Sequence, residues 1–170
     1  QAFEEVAGLV KEDVEPPVQE PENTPAPENV TAFEKYAEVY AQNSDLVGWV
    51  SISGTRIDYP IMQTKDNPNY NLVLYGHHMN NGSMFSDLCK YESEDFYREH
   101  KTICFDTLDH FGEYEVIAAF KTVAYSEDGF KYYHFVNAEN QAAFEEYVAK
   151  CKELALYDTG VTAKYGDQLI

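Results

Sequence analysis

Residues 11 to 29 read KEDVEPPVQEPENTPAPEN and hold five of the seven prolines in the chain. Proline has no N–H to give a helix or a central strand, and the glutamates between bury no apolar surface, so this stretch cannot contribute to a core. It is expected to be an extended, solvated tether. The residues before it, QAFEEVAGLV, are too few to make a domain. Folding is thereby confined to the rest of the chain: 1–29 reads as N-terminal segment and tether, and 30–170 as one domain.

Within that domain the hydrophobic period changes from element to element. Thr31 and Glu34 have capping-box spacing, and Phe33, Tyr36, Ala37 and Tyr40 recur at helical intervals, so a helix begins near Val30. LVGWVSISGTRIDYPIMQ (46–63) carries β-branched and aromatic residues on both sides of Ser53-Gly54 and predicts a hairpin, with Pro60 limiting the ladder of its second strand. Strands are expected at 71–75, 102–107 and 113–124. A short helix at 93–100 would be capped by Ser93, with acids in its first turn. A longer one, about 138–155, aligns Phe144, Tyr147, Val148, Cys151 and Leu154 on one stripe. The fold class is therefore mostly β with peripheral helices (α+β), a small barrel or sandwich.

Twelve basic against thirty acidic residues give a formal charge of −18, which disfavours nucleic acid and anionic lipid as partners. No apolar run is long enough to span a membrane. No signal peptide opens the chain, which starts with Gln and so suggests a mature or recombinant fragment. Cys89, Cys104 and Cys151 are odd in number and lack CxxC spacing, so they read as buried thiols, not as a zinc ribbon or a complete disulfide framework.

The chemistry-bearing stretch is NLVLYGHHMNNGSMFSDL (71–88). Neighbouring side chains on a strand point to opposite faces, so His77 and His78 cannot both enter one site unless the backbone turns there. One is expected to be functional and the other exposed. A two-histidine metal site is disfavoured, because no further His or Cys stands nearby at ligand spacing, and there is no EF-hand loop. Tyr75, Met84 and Trp49 read as core, and Gly76 and Gly82 as permitting close backbone turns beside His77. His100, His110 and His134 read as surface or turn residues.

Taken together, Leu74-Tyr75-Gly76-His77-His78-Met79, then Gly82-Ser83-Met84-Phe85 and Asp87-Leu88, resemble the YGHNM…GSMF.DL signature of class B sortases, cysteine transpeptidases of Gram-positive surfaces. The likeness extends upstream through Val47-Gly48-Trp49, Gly54-Thr55 and Ile57-Asp58-Tyr59-Pro60. Downstream it continues through Phe96-Tyr97, His100-Lys101-Thr102-Ile103, Leu156 to Val161 and Gly166-Asp167. It covers residue 33 to the end.

The resemblance implies a sortase-type eight-stranded β-barrel, seen here incomplete, in which a histidine, a cysteine and an arginine share a groove. His77 matches the histidine. A thiolate would attack a carbonyl within the sorting motif of a secreted protein, His77 would protonate the leaving amine, and the arginine would hold substrate or oxyanion. The acyl group would pass to an amine of peptidoglycan or of a pilin. The resemblance further implies an extracellular location, attachment to the membrane only through an N-terminal anchor absent from these residues, and no cofactor or metal. It puts Tyr132 and Tyr133, in DGFKYYHF, beside the sorting-signal groove, where ordinary packing is the competing reading.

Two departures accompany it. The family's nucleophile lies in a TLSTC strand directly after a segment like Gly166–Ile170, and its arginine follows later; neither is among the 170 residues. A further stretch is expected between Tyr70 and Asn71. Omission of segments from a longer protein is the favoured explanation, since a barrel without its last strands would expose unpaired edges. Cys151 is a poor substitute nucleophile on an apolar stripe, Cys104 has no fixed facing, and Cys89, the least implausible, has Asp87 beside it to disfavour a thiolate. The 170 residues alone are expected to be inactive. The rival reading is a non-catalytic sortase-like binding or assembly module.

Overall fold

A computed structural model describes residues 30–63, 72–123 and 129–170. The tether and the Tyr70–Asn71 junction lie outside them. The described residues cluster into two compact units, 30–51 with 58–63 and 104–113, and 52–57 with 72–103, 114–123 and 129–170.

The first unit opens with helix α1 (Ala32–Gln42). Thr31 Oγ1 accepts from the Glu34 N–H at 3.3 Å, and the Glu34 carboxylate accepts from the Thr31 N–H at 2.8 Å, so the expected capping box forms. The buried face is Ala32, Tyr36 and Val39. Phe33, expected on that stripe, is half exposed, because the face that packs is rotated towards Ala32 and Val39.

Strands β1 (Leu46–Ser51) and β2 (Asp58–Met62) form the expected antiparallel hairpin, with a register shift between Leu46 and Gly48. β3 (Thr102–Thr107) pairs with the other side of β1, Val50 opposite Phe105, and with β4 (Glu113–Glu115) the order is β2-β1-β3-β4. Pro60 sits opposite Trp49 on β2, an edge strand of this sheet, where a missing N–H is tolerated. Tyr36, Val39, Leu46 and Trp49 make the core, flanked by Tyr40, Met62 and Leu108. Tyr36 donates its hydroxyl to Asp106, which also accepts from Gly112 N at 3.3 Å and faces Lys35 at 3.5 Å.

In the second unit a 3₁₀ helix (Phe85–Glu92) leads into α2 (Glu94–Glu99), capped as expected by Ser93, and a 3₁₀ turn (Tyr132–His134) precedes α3 (Gln141–Leu154). The cap of α3 is Asn140, three residues later than the sequence suggests. Phe144, Val148 and Cys151 are buried on it, as the stripe predicts, with Tyr147 and Leu154 at its margin. Tyr91, Tyr97, Ile52 and Ile57 are buried in the same unit.

The strand expected at 113–124 stops at Glu115. Beyond it Val116 N donates to Lys101 O and Leu156 N to Ala119 O, single bonds without a ladder. The strand expected at 71–75 is irregular backbone over 72–75. Of the eight strands of the expected barrel, the described residues carry four, in an unclosed sheet.

Candidate active site

The segment carrying His77 is a braced loop. Leu72 N–H donates to the Leu169 carbonyl at 3.0 Å, laying the residues around Leu169 beside the chain that leads to His77. Tyr114 also holds this segment, its hydroxyl donating to Gln168 Oε1 at 3.0 Å. Phe85 N–H donates to the His77 carbonyl at 3.1 Å, and His78 and Met84 form an antiparallel bridge. The chain thus turns back on itself between the histidines and Phe85. Gly82, at φ +77°, donates its N–H to Met79 O at 2.8 Å and forms the bend, while Asn81 Oδ1 accepts from Ser83 N at 3.0 Å.

Gly76 is needed for space and Gly82 for its positive φ. A Cβ on Gly76 would enter the Phe85 ring, and one on Gly82 would enter the Arg56 guanidinium. Both bear out the reading that they permit close backbone turns.

Beneath the loop lie two buried polar side chains whose bracing role the sequence did not signal. The Ser86 hydroxyl accepts from Met79 N at 2.9 Å and reaches the carbonyls of Ser83 at 2.7 Å and Met79 at 3.0 Å. Asp87, 2% exposed, accepts from Arg56 N at 2.9 Å and faces Arg56 Nη2 at 3.3 Å and Lys90 Nζ at 3.0 Å. The Arg56 N–H above all, then the Lys90 and Arg56 side chains, hold its carboxyl down at about 2 against the opposing effect of burial. Both residues lie in the histidine-bearing stretch, but no local signal ties Asp87 to a partner 31 positions away.

His77 and His78 are both exposed. Tyr75, expected in the core, is 67% exposed, because it stands at the start of the turn and beyond the half-buried run 72–74, and Met84 is half buried. Trp49 is buried, as expected. His110 and His134 are exposed; His100 is half buried, and its Nδ1–H donates to the Ser53 carbonyl at 2.8 Å.

Tyr132 and Tyr133 occupy the 3₁₀ turn, half buried among aromatic rings. Tyr132 meets Phe120 edge-on with centroids 5.9 Å apart, its carbonyl accepts from Tyr147 OH, and Tyr133 meets His134 at 4.6 Å. These interactions belong to an aromatic cluster over α3, and none of them joins the tyrosines to His77.

The three cysteines are thiols, but only Cys151 is buried. Burial raises its pKa, as expected on an apolar stripe. Cys104 is half buried and its thiol is likewise pushed up, by burial first and by Glu113 and Asp106 next. Cys89 is exposed, which corrects its reading as a buried thiol. Among the described residues no group of three or more His, Cys, Asp or Glu is arranged to hold a metal ion, and no helix is long and apolar enough to cross a membrane.

No family model matches the chain. It is 31% identical to sortase B of Listeria monocytogenes in a 156-residue alignment that covers 75% of this chain, and 28% identical to sortase B of Staphylococcus aureus in a 158-residue alignment that also covers 75%. In sequence the chain is similar to class B sortases over three quarters of its own length. It spans 61% and 62% of the length of these two relatives. Among solved structures, sortase B complexed with triglycine superposes with a TM-score of 0.73 at 24% identity, covering 82% of this chain and 76% of that one. The Staphylococcus aureus sortase B–substrate complex superposes at 0.68 and 25% identity, covering 79% and 73%. The fold of this chain is thus the sortase fold, with its sheet open over the described residues.

Proposed function

We propose that this chain is part of an extracellular sortase B-type cysteine transpeptidase, with His77 as its general acid and base. The carrying observation is the bond from Leu72 N–H to Leu169 O. His77 stands five residues beyond Leu72. Chain continuing past Leu169 parallel to residues 72–77 would pass His77, where the family resemblance puts the nucleophilic cysteine.

The reaction balances with groups of ordinary chemistry. The cysteine sulfur, as thiolate, adds to a carbonyl carbon in the sorting motif, and the oxyanion is held by the arginine expected further along. Collapse breaks the C–N bond as the His77 imidazolium gives its proton to the leaving amine, leaving a thioester and a neutral imidazole. An incoming amine of peptidoglycan or a pilin attacks the thioester carbonyl, His77 takes its proton, and the thiolate departs. Relatives solved with triglycine and with substrate support a peptide acyl donor and an amine acceptor. Tyr132 and Tyr133 would flank the donor peptide. An outward-facing location follows from the chemistry of such acceptors, and the acidic tether would hold the domain away from an anionic surface.

The test is to incubate the full-length protein with a sorting-motif peptide and triglycine and read the products by mass spectrometry. The expected result is a joined peptide–triglycine product, lost in His77→Ala and kept in His78→Ala, with Tyr132→Ala or Tyr133→Ala raising KM. Peptide binding without turnover in the unmutated protein would instead support the non-catalytic module. Loss on the surface of intact producing cells to added protease tests the location.

A further inference from the structure

The imidazole of His77 is exposed. Water gives it no fixed orientation, so its aim depends on the backbone that carries it. That backbone is fixed before and after the histidine pair by different means. His77 O accepts from Phe85 N at 3.1 Å. Two residues on, Met79 is held at its N–H and its carbonyl by one side-chain atom, Ser86 Oγ, at 2.9 and 3.0 Å.

A hydroxyl has one hydrogen to donate and two lone pairs. Ser86 accepts from Met79 N, and its single hydrogen serves the Ser83 carbonyl at 2.7 Å or the Met79 carbonyl at 3.0 Å. It therefore ties together both strands of the turn, and it is buried at 8% exposure, where water cannot replace it. The turn so closed contains Met84 at φ 58° and ψ −139°, a conformation that side chains other than glycine rarely adopt. Backbone of this kind persists only where its surroundings hold it; backbone bonds and the His78–Met84 bridge close the turn, and the Ser86 hydroxyl is the buried side chain that ties Met79 to Ser83.

We propose that Ser86 is a positioning residue for His77: by clamping Met79 and Ser83 it keeps the strained turn closed and the imidazole aimed for proton transfer. The proposal rests on the transpeptidase reading for its catalytic consequence, but not for the coupling between residues 86 and 77. Misplacing a proton-transfer group by about an ångström slows the chemical step on the order of a hundredfold while leaving substrate contacts in place.

The test uses the full-length protein labelled at histidine Cε1, with the His77 resonance assigned by its loss in His77→Gln. Ser86→Ala is expected to broaden or split that resonance, leave those of His110 and His134 unchanged, and lower kcat at least about tenfold with KM altered less than about twofold. Ser86→Thr, which keeps the hydroxyl, should restore a single sharp line. If Ser86→Ala fails to fold, Met84→Gly supplies the second variant. It frees the turn without emptying the clamp, and should broaden the same line in a protein that melts within a few degrees of the original. An unchanged His77 line in whichever variant folds overturns the proposal. A protein without transpeptidase activity, but with a His77 line that responds to Ser86, overturns the transpeptidase reading and leaves the coupling standing.

Discussion

Asp87 accepts the main-chain N–H of Arg56 at 2.9 Å, joining the tip that follows β1 to the 3₁₀ helix that follows His77. Its carboxyl is held at about 2, below the ordinary aspartate value, so the folded state binds its proton less readily than the unfolded chain does. The stability this supplies is fully present above about pH 4 and is lost as pH falls towards 2, an amount on the order of 2 kcal/mol. Urea denaturation of the protein at pH 7, 4 and 2.5 should show this loss. In Asp87→Asn the acid limb should flatten, and stability at pH 7 should fall by about 2–3 kcal/mol, because two cations and an N–H lose their anionic acceptor. An acid limb unchanged by the substitution would assign it to other carboxylates.

The alkaline limb has the opposite sign. Tyr91 donates its hydroxyl to the His100 carbonyl at 2.6 Å, and burial, with Tyr157 nearby, pushes its pKa up to about 12. Tyr36, donating to Asp106 in the other unit, is raised by burial and then by that carboxylate. A raised pKa supplies stability that is complete below the unfolded tyrosine value near 10 and disappears as pH rises through the folded value. Tyrosinate absorbance followed from pH 9 to 12.5 should therefore show one set of tyrosines ionising normally and another ionising only as the protein unfolds. Tyr91→Phe should shrink the second set and cost about 1–3 kcal/mol at neutral pH, since the His100 carbonyl loses its donor.

Local sequence rules read well wherever one element's own residues decide its structure. The Thr31–Glu34 box, the Ser93 cap and the Phe144–Val148–Cys151 stripe needed no distant partner, and the 46–63 hairpin needed only its neighbour in sequence. The failures share a different cause. EYEVIAAFKTV has the composition of a strand, yet beyond Glu115 it finds single backbone partners, Lys101 and Leu156, instead of a ladder, and such pairing is set by tertiary structure. Tyr75 ends an apolar run and so reads as core, but the run is half buried only through Leu74, and Tyr75 itself, where the chain enters the turn, is exposed. The motif around His77 is legible in the sequence; the Ser86 and Asp87 bracing beneath it is not, because hydrogen bonds from buried polar groups leave no periodic trace.

Glycine substitutions separate space from conformation. At Gly76 an added methyl would meet the ring of Phe85, the residue whose main-chain N–H holds the His77 carbonyl, so relieving the clash strains the turn. Gly160 has φ +72° but nothing within 4 Å of the new atom. Gly160→Ala should cost about 1 kcal/mol, the conformational penalty alone, and Gly76→Ala about 3 kcal/mol or more. Thermal melts of the two variants side by side decide the matter. Equal losses would mean that Phe85 swings aside freely and does not brace the loop.

Trp49 is the only tryptophan in the chain, so its emission reports one place in the fold. It is buried at 3% exposure, stacked on Tyr36 with centroids 5.5 Å apart, and its indole N–H donates to Asp58 Oδ1 at 2.6 Å across the β1–β2 hairpin. Emission should therefore be blue-shifted and poorly quenched by iodide in the native state, and shift red in one step as the α1–β1–β2–β3 unit unfolds. Asp58→Ala removes the acceptor and leaves a buried N–H without it, which should cost about 1–3 kcal/mol, whereas Asp58→Asn keeps a side-chain oxygen and should lose less than half as much. Urea titrations followed at Trp49 measure both. Were the two variants equally unstable, the charge of Asp58, and not its hydrogen bond to the indole, would be what stabilises the hairpin.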